Sequence, residues 1–255
     1  MSSDACLALL LDGPMQSWGH ASRFERRTTA LHPTRSAILG LISAALGIDK
    51  YAPNEADQLS RFSALRITVI TLPRRSRREG DLPMQRLEDY HTVGAAYDEN
   101  DPWERQMLNH NTEGKIKKSK GVCIPVVSQR HYLLDARFGV LVDGATELLN
   151  EVAAALRNPK WGVWLGRKCC LPASPVLIGV KPDQAQAWSE LLRRTGYAGT
   201  ETLEQFDRVL EVAAGHSGAD IIEDTPVAFG NPIGERHAPR WIHRVPKSAI
   251  VNRKS

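Results

Sequence analysis

A mixed α+β fold follows from three observations in the sequence. Residues 5–11, ACLALLL, are apolar on both faces and stop at the turn signal Gly13-Pro14, which suits a buried central strand. Residues 34–47 and 145–157 carry helical periodicity. Residues 64–72, ALRITVITL, are rich in β-branched side chains, and 132–142, YLLDARFGVLV, alternate. In chain order this gives strand, helix, strand, a long insertion, strand, helix, and a last strand within 162–180. That succession is the βαββαβ order of a ferredoxin-like (RRM-like) domain.

The elements are justified in turn. In the first helix Thr34 is the N-cap, Gly47 follows the last turn, and Ile38, Leu41, Ile42 and Ala45 share one face. Pro73 stops the strand at 64–72. Residues 73–131 are polar, with Pro, Gly and Asn clusters and two basic runs at 74–78 and 115–120. An insertion of that length has a function or is disordered. It reads as a protruding β-hairpin-type arm that grips a phosphate backbone, or as a solvated flexible loop. The strand at 132–142 places Leu134, Ala136, Phe138, Val140 and Val142 on one face, with Asp135 and Arg137 on the other. The helix at 145–157 precedes Asn158-Pro159. Amphipathic segments follow at 184–196 and 201–213, then turn-rich chain with strands near 219–223 and 240–245. Asp220, Glu223 and Asp224 read as solvated. The expected division is 1–180 for the first domain and 181–255 for a smaller C-terminal domain or extension.

Composition narrows the class. The chain has 255 residues, 42% of them hydrophobic, and a formal net charge of +4, so a polyanion partner is permitted but not demanded. Cys6, Cys123, Cys169 and Cys170 form no CxxC pair, which suits free thiols in a reduced, cytoplasmic setting. There is no signal peptide and no apolar run long enough to span a bilayer, so no membrane partner is expected. HExxH, His/Cys metal spacing, a Walker loop and GxGxxG are all absent; no metal and no cofactor is expected.

The densest chemistry lies between Gly13 and the first helix, where Gln16, Ser17, Trp18, Gly19, Arg23, Arg26 and Arg27 gather. Aromatic faces stack on bases and guanidiniums pair with phosphates. The alternative is a solvated loop with Trp18 packed on the core. Arg35 opposes the dipole of its own helix, and an anion docked beside it and Ser36 would relieve the conflict. Further on, Trp164-Leu165-Gly166-Arg167-Lys168 combines a close-approach glycine with two cations, and Arg240-Trp241 pairs a cation with an aromatic. Tyr90, His91 and His131 could serve acid–base chemistry if the arm folds back on itself.

These residues also carry a resemblance. GPMQSWG, SRF and PTRSAILGLISAALGID resemble the N-terminus of the CasD-type Cas5 family (RAMP superfamily) of type I-E CRISPR Cascade complexes. LEDYHTV resembles that family's RDYHTV segment, with Glu88 where a basic residue is common. Arg130 to Asp135 resemble the segment where the family's thumb returns to the sheet, and WLGRKCC resembles its YLGRRSC element. The resemblance implies a non-catalytic ribonucleoprotein subunit in antiviral defence. Such a subunit holds the 5′ handle of the guide crRNA, caps the backbone filament of repeated subunits, and helps seat the large PAM-reading subunit near target DNA. With the residue chemistry it nominates Gln16, Trp18, Gly19, Arg23, Arg35, Ser36, Tyr90, His91, Arg130, His131, Arg137, Arg167, Lys168 and Arg240 for RNA, and no catalytic residue. The rival reading is a metal-independent endoribonuclease that processes repeat RNA.

Overall fold

The computed structural model describes residues 4–19, 25–76, 78, 80–93, 126–230 and 234–248. The chain runs β1 (Asp4–Asp12), β2 (Met15–Gln16), β3 (Trp18–Gly19), β4 (Arg26–Arg27), β5 (Thr29–Ala30), α1 (Arg35–Leu46), α2 (Glu55–Ser60) and β6 (Arg66–Thr71). It continues with β7 (Arg75–Ser76), β8 (Gly80–Asp81), β9 (Gln85–Val93), β10 (Val126–Leu134), β11 (Arg137–Ala145) and α3 (Thr146–Arg157). The last elements are β12 (Leu177–Lys181), α4 (Gln184–Thr195), β13 (Arg208–Val212), β14 (Ala219–Ala228) and β15 (Arg236–Val245).

The large sheet has seven strands in the order β12-β1-β11-β6-β13-β15-β14, each pair antiparallel. β1 is apolar on both faces because both are covered. Ala5, Leu7, Leu9 and Leu11 join the core shared with α1 and α3, while Cys6, Ala8 and Leu10 meet Ala187, Trp188, Leu191 and Leu192 of α4. Burial pushes the Cys6 thiol far up and the Cys170 thiol up to about 12, so both are unreactive at neutral pH.

Two expectations shift. The strand foreseen at 132–142 is two strands, broken at Asp135, whose φ of 49° turns the chain between β10 and β11. The last strand foreseen within 162–180 is short, Leu177–Lys181, and most of the stretch before it is loop. The C-terminal strands β13, β15 and β14 continue the sheet from the free edge of β6.

A second sheet stands beside the first. β9 and β10 pair over nine residues each, from Val126↔Val93 to Leu134↔Gln85, and β10 also holds β2 and β4. Arg74 and Arg75 of the first basic run are tied into the body. Arg74 bonds Asp12 at 2.6 Å; Arg75 bonds Asp81 and Glu201, each at 3.2 Å, and lies over the Tyr197 ring. The second run, 115–120, lies outside the described residues.

α1 begins as the sequence indicates, with the Thr34 side chain accepting from the Ala37 N–H, and ends at Gly47, whose φ of 75° suits a residue without Cβ. Its dipole conflict is resolved inside the protein. The Arg35 N–H donates to Asp224 Oδ2 at 2.8 Å, so the anion at the helix start is a buried carboxylate of β14. The Arg35 guanidinium is buried as well. It donates to Glu211 at 2.7 Å, to Leu65 O at 2.9 Å and to Phe62 O at 2.8 Å. Arg240 completes the group, bonding Glu211 at 2.9 Å and Asp224 at 2.5 and 2.8 Å. Two cations and two carboxylates therefore balance, and Asp224 is not the solvated residue expected.

Removing one member of such a network leaves an uncompensated buried charge. Arg35→Met should cost about 3–5 kcal/mol, seen as a lower urea midpoint. Arg35→Lys should recover only part, because an ammonium cannot reach Glu211 and both carbonyls with one planar fork.

Candidate nucleic-acid interface

An open cleft of about 400 Å³ lies along α1. Its floor is mostly small side chains on one side of the helix, Ser36, Ala37, Gly40 and Ala44, with the buried Leu41 at its border. One wall is the loop that carries Trp164, Gly166 and Arg167, together with Gly19 and Arg27. Phe229 and Glu235, from the β14–β15 region, line it as well.

That wall is held together by close backbone contact. The Ser17 N–H donates to Leu165 O at 3.1 Å, and Gly166, at φ 96°, presses on the same residue. A Cβ at Gly166 would sit 1.8 Å from Ser17 O, so no other residue fits. Arg167 then ties three segments. It donates to Arg27 O at 2.8 Å and His131 O at 3.2 Å and lies 4.8 Å from the Tyr132 ring centroid.

The structure sorts the nominated residues. Trp18 is fully buried in the main core, so its ring has no free face for a base; its size drives it inward. Gln16 is fully buried and donates to Leu11 O at 3.0 Å and Ala136 O at 2.7 Å, stitching β1 to the start of β11. Arg35 and Arg240 are spent in the buried network. Arg137 is spent on the carbonyls of Leu72, Pro73 and Thr195, the last at the C-terminal end of α4. None of these five is presented to a ligand. Ser36, Gly19 and Arg167 line the cleft. Lys168 is exposed beside it, its ammonium 5.9 Å from the Trp164 ring centroid. Arg23 lies outside the described residues.

On the ribbon, Tyr90 is 69% exposed, and Arg130 donates to Ser128 Oγ at 3.0 Å. His131 is buried, with Nε2 3.6 Å from Glu88 Oε1, and His91 Nδ1 is 3.5 Å from Asp89. His131 pairs with Glu88 and His91 with Ser128, an odd separation along β9, so the two histidines occupy opposite faces of the ribbon. They do not form an acid–base pair. Among the described residues no three His, Cys, Asp or Glu side chains cluster as metal ligands.

Sequence reading singled out the stretches that hold Arg27 and Trp164 without nominating either residue, and passed over Phe229 and Glu235 altogether. Arg26 and Arg27 are exposed and have no carboxylate against them among the described residues. The arginine-rich loop was a signal for both. Nothing in the sequence tied Phe229 and Glu235 to a helix some 190 residues earlier.

These features define a class: a mixed α/β protein with one large antiparallel sheet, few helices, and a cation-bearing surface beside a side ribbon. A profile of the CRISPR-associated protein family Cas5 matches residues 6–232. The chain is 32% identical over 176 residues to the CRISPR system Cascade subunit CasD of Escherichia coli (strain K12), covering 68% of this chain and 70% of that one. Among solved structures it is similar to a chain of a CRISPR RNA-guided surveillance complex, with a TM-score of 0.66, 27% identity, and 95% and 90% coverage. A crystal structure of a Cas protein matches with a TM-score of 0.55, 25% identity, and 95% coverage of both chains. The chain belongs to the CRISPR-associated Cas5 family.

Two substitutions test the architecture of this wall. Gly166→Ala should destabilise by about 1–3 kcal/mol from backbone strain alone, with the Ser17 clash added. Trp18→Ala should cost about 3–5 kcal/mol as a core truncation. Thermal melts check both, and a normal melt for Trp18→Ala would contradict its place in the core.

Proposed function

We propose that the protein is a non-catalytic subunit of a CRISPR Cascade complex that binds the 5′ handle of the guide crRNA. The observation that carries this reading is the cleft bordered by Arg27, Ser36 and Arg167, with Arg26 and Lys168 exposed nearby, in a member of the Cas5 family. Phosphates are attracted by such cations. Arg26 and Arg27, exposed and without a carboxylate partner among the described residues, are free to bind them, while Arg167, held by Arg27 O and His131 O, positions the wall and adds its charge.

The sheet order β12-β1-β11-β6, with α1 and α3 in the connections, supports a ferredoxin-like RNA-binding core over residues 1–180. Residues 181–255 are its C-terminal extension. The β9–β10 ribbon supports a thumb rooted near 85 and 134. In the assembled complex the thumb and the groove at its base, of about 940 Å³, contact the repeated backbone subunit, while another surface helps seat the large PAM-reading subunit beside target DNA. Among the described residues no helix is long and apolar enough to cross a membrane, which is compatible with assembly in the cytoplasm. The separation of His91 from His131 across the ribbon favours binding over cleavage.

The test is to purify the chain with and without the products of neighbouring genes and to sequence the retained RNA and its ends. A fixed handle at the 5′ end, with no cutting of repeat RNA by the isolated chain, is expected. Cleavage at one position, abolished by His131→Ala, would instead make the protein an endoribonuclease. For single-stranded RNA, Arg27→Ala should also shallow the salt dependence of binding by about 0.7 in log–log slope. An unchanged slope would place the phosphate path elsewhere.

A further inference from the structure

We propose that the cleft along α1 takes one unstacked nucleobase in the space between Trp164 and Phe229. This rests on the RNA-binding reading above and names what that site holds.

Trp164 and Phe229 both line the cleft, and neither is fully buried. Trp164 is braced from behind its ring edge. A Cβ on Gly162 would lie 2.5 Å from the indole, so the loop backbone already fills that side. Phe229 is fixed over α1, 3.6 Å from where a Gly40 Cβ would stand, and His237 packs edge-on against it at 6.4 Å. The floor between them is Ala37, Gly40 and Ala44; Leu41, the longer side chain at its border, is buried in the core. The volume, about 400 Å³, is that of a small-molecule site. A cleft with two aromatic residues in its lining and a small-residue floor accepts a planar ring.

Charge sets the orientation. Arg167, on the loop that carries Trp164, bonds Arg27 O, whereas Glu235 lies 3.7 Å from His237, which packs on Phe229. A phosphate is attracted to the first side and repelled from the second. The sugar–phosphate chain therefore passes Arg27, and the base points across α1 toward Glu235. Stacking of this kind is tolerant of base identity, since every base offers a π-face; a base amine facing Glu235 would add a preference for adenine, cytosine or guanine over uracil.

The test uses the full chain, a short oligocytidylate, and the same oligomer made of abasic residues. Trp164→Ala should weaken oligocytidylate binding about ten- to a hundredfold while leaving the abasic oligomer and the salt slope unchanged, because stacking releases no counterions. Trp164→Phe should retain most of the affinity. Ala44→Leu, which fills the floor and keeps the Ala44 carbonyl that Trp161 N–H donates to, should reproduce the loss if Trp164→Ala alters the melt. Two outcomes overturn the slot. If Arg27→Ala weakens binding but Trp164→Ala and Ala44→Leu do not, RNA binding stands and the base lies elsewhere. If wild type binds neither oligomer and its complex retains no RNA, the slot and the RNA reading fall together.

Discussion

The structure depends on one largely buried group of charges, Arg35, Glu211, Asp224 and Arg240. Its members come from α1, β13, β14 and β15, and Arg35 also reaches the carbonyls of Phe62 and Leu65. Apolar contact alone would let α1 slide on the sheet. Directional bonds between forks and carboxylates fix where it starts. A network of this type contributes little to net stability and a great deal to uniqueness, since any other docking of α1 would strand a charge in the interior.

The cleft is a consequence of that docking. With α1 fixed on the C-terminal strands, Phe229 lies over Gly40, while the loop after α3 meets the helix from the other direction through Lys160 N–H to Ala45 O and Trp161 N–H to Ala44 O. The space between is left open because the helix offers it mainly small side chains. Ser17 and Arg27 beside it are held by Leu165 and Arg167 of that loop. The fixed arginines, Arg35, Arg137 and Arg240, serve the scaffold. The exposed ones, Arg26 and Arg27, remain available to a ligand. Belonging to the Cas5 family does not by itself separate these two groups; burial and partners do.

Much of the fold was legible in the sequence, for local reasons. Hydrophobic period and capping chemistry depend on neighbours within a few residues. Thr34, Gly47 and the apolar face of α1 could therefore be read directly, as could the double-faced strand β1 and the helix at 146–157. The turn at Asp135 was missed because alternation continues through it without a glycine or proline to mark the break. The resemblance of GPMQSWG and PTRSAILG to a known family was likewise carried by residues adjacent in the chain.

The candidate site was legible only in kind. The sequence determined that Trp18 and a set of arginines lie in one loop before a helix; it could not say which would face outward. Trp18 turned inward because its large apolar surface has a core to join, and the Arg35 guanidinium followed because the Glu211 carboxylate and two carbonyls await it there. The anion required at the start of α1 was foreseen, but its source was Asp224, 189 positions later. Sequence by itself determined the central strand, the main helices, the excess of positive charge and the family. Tertiary structure alone decided which charges are neutralised internally and which aromatic is left beside an open cleft, because both depend on pairings between residues that only folding brings together.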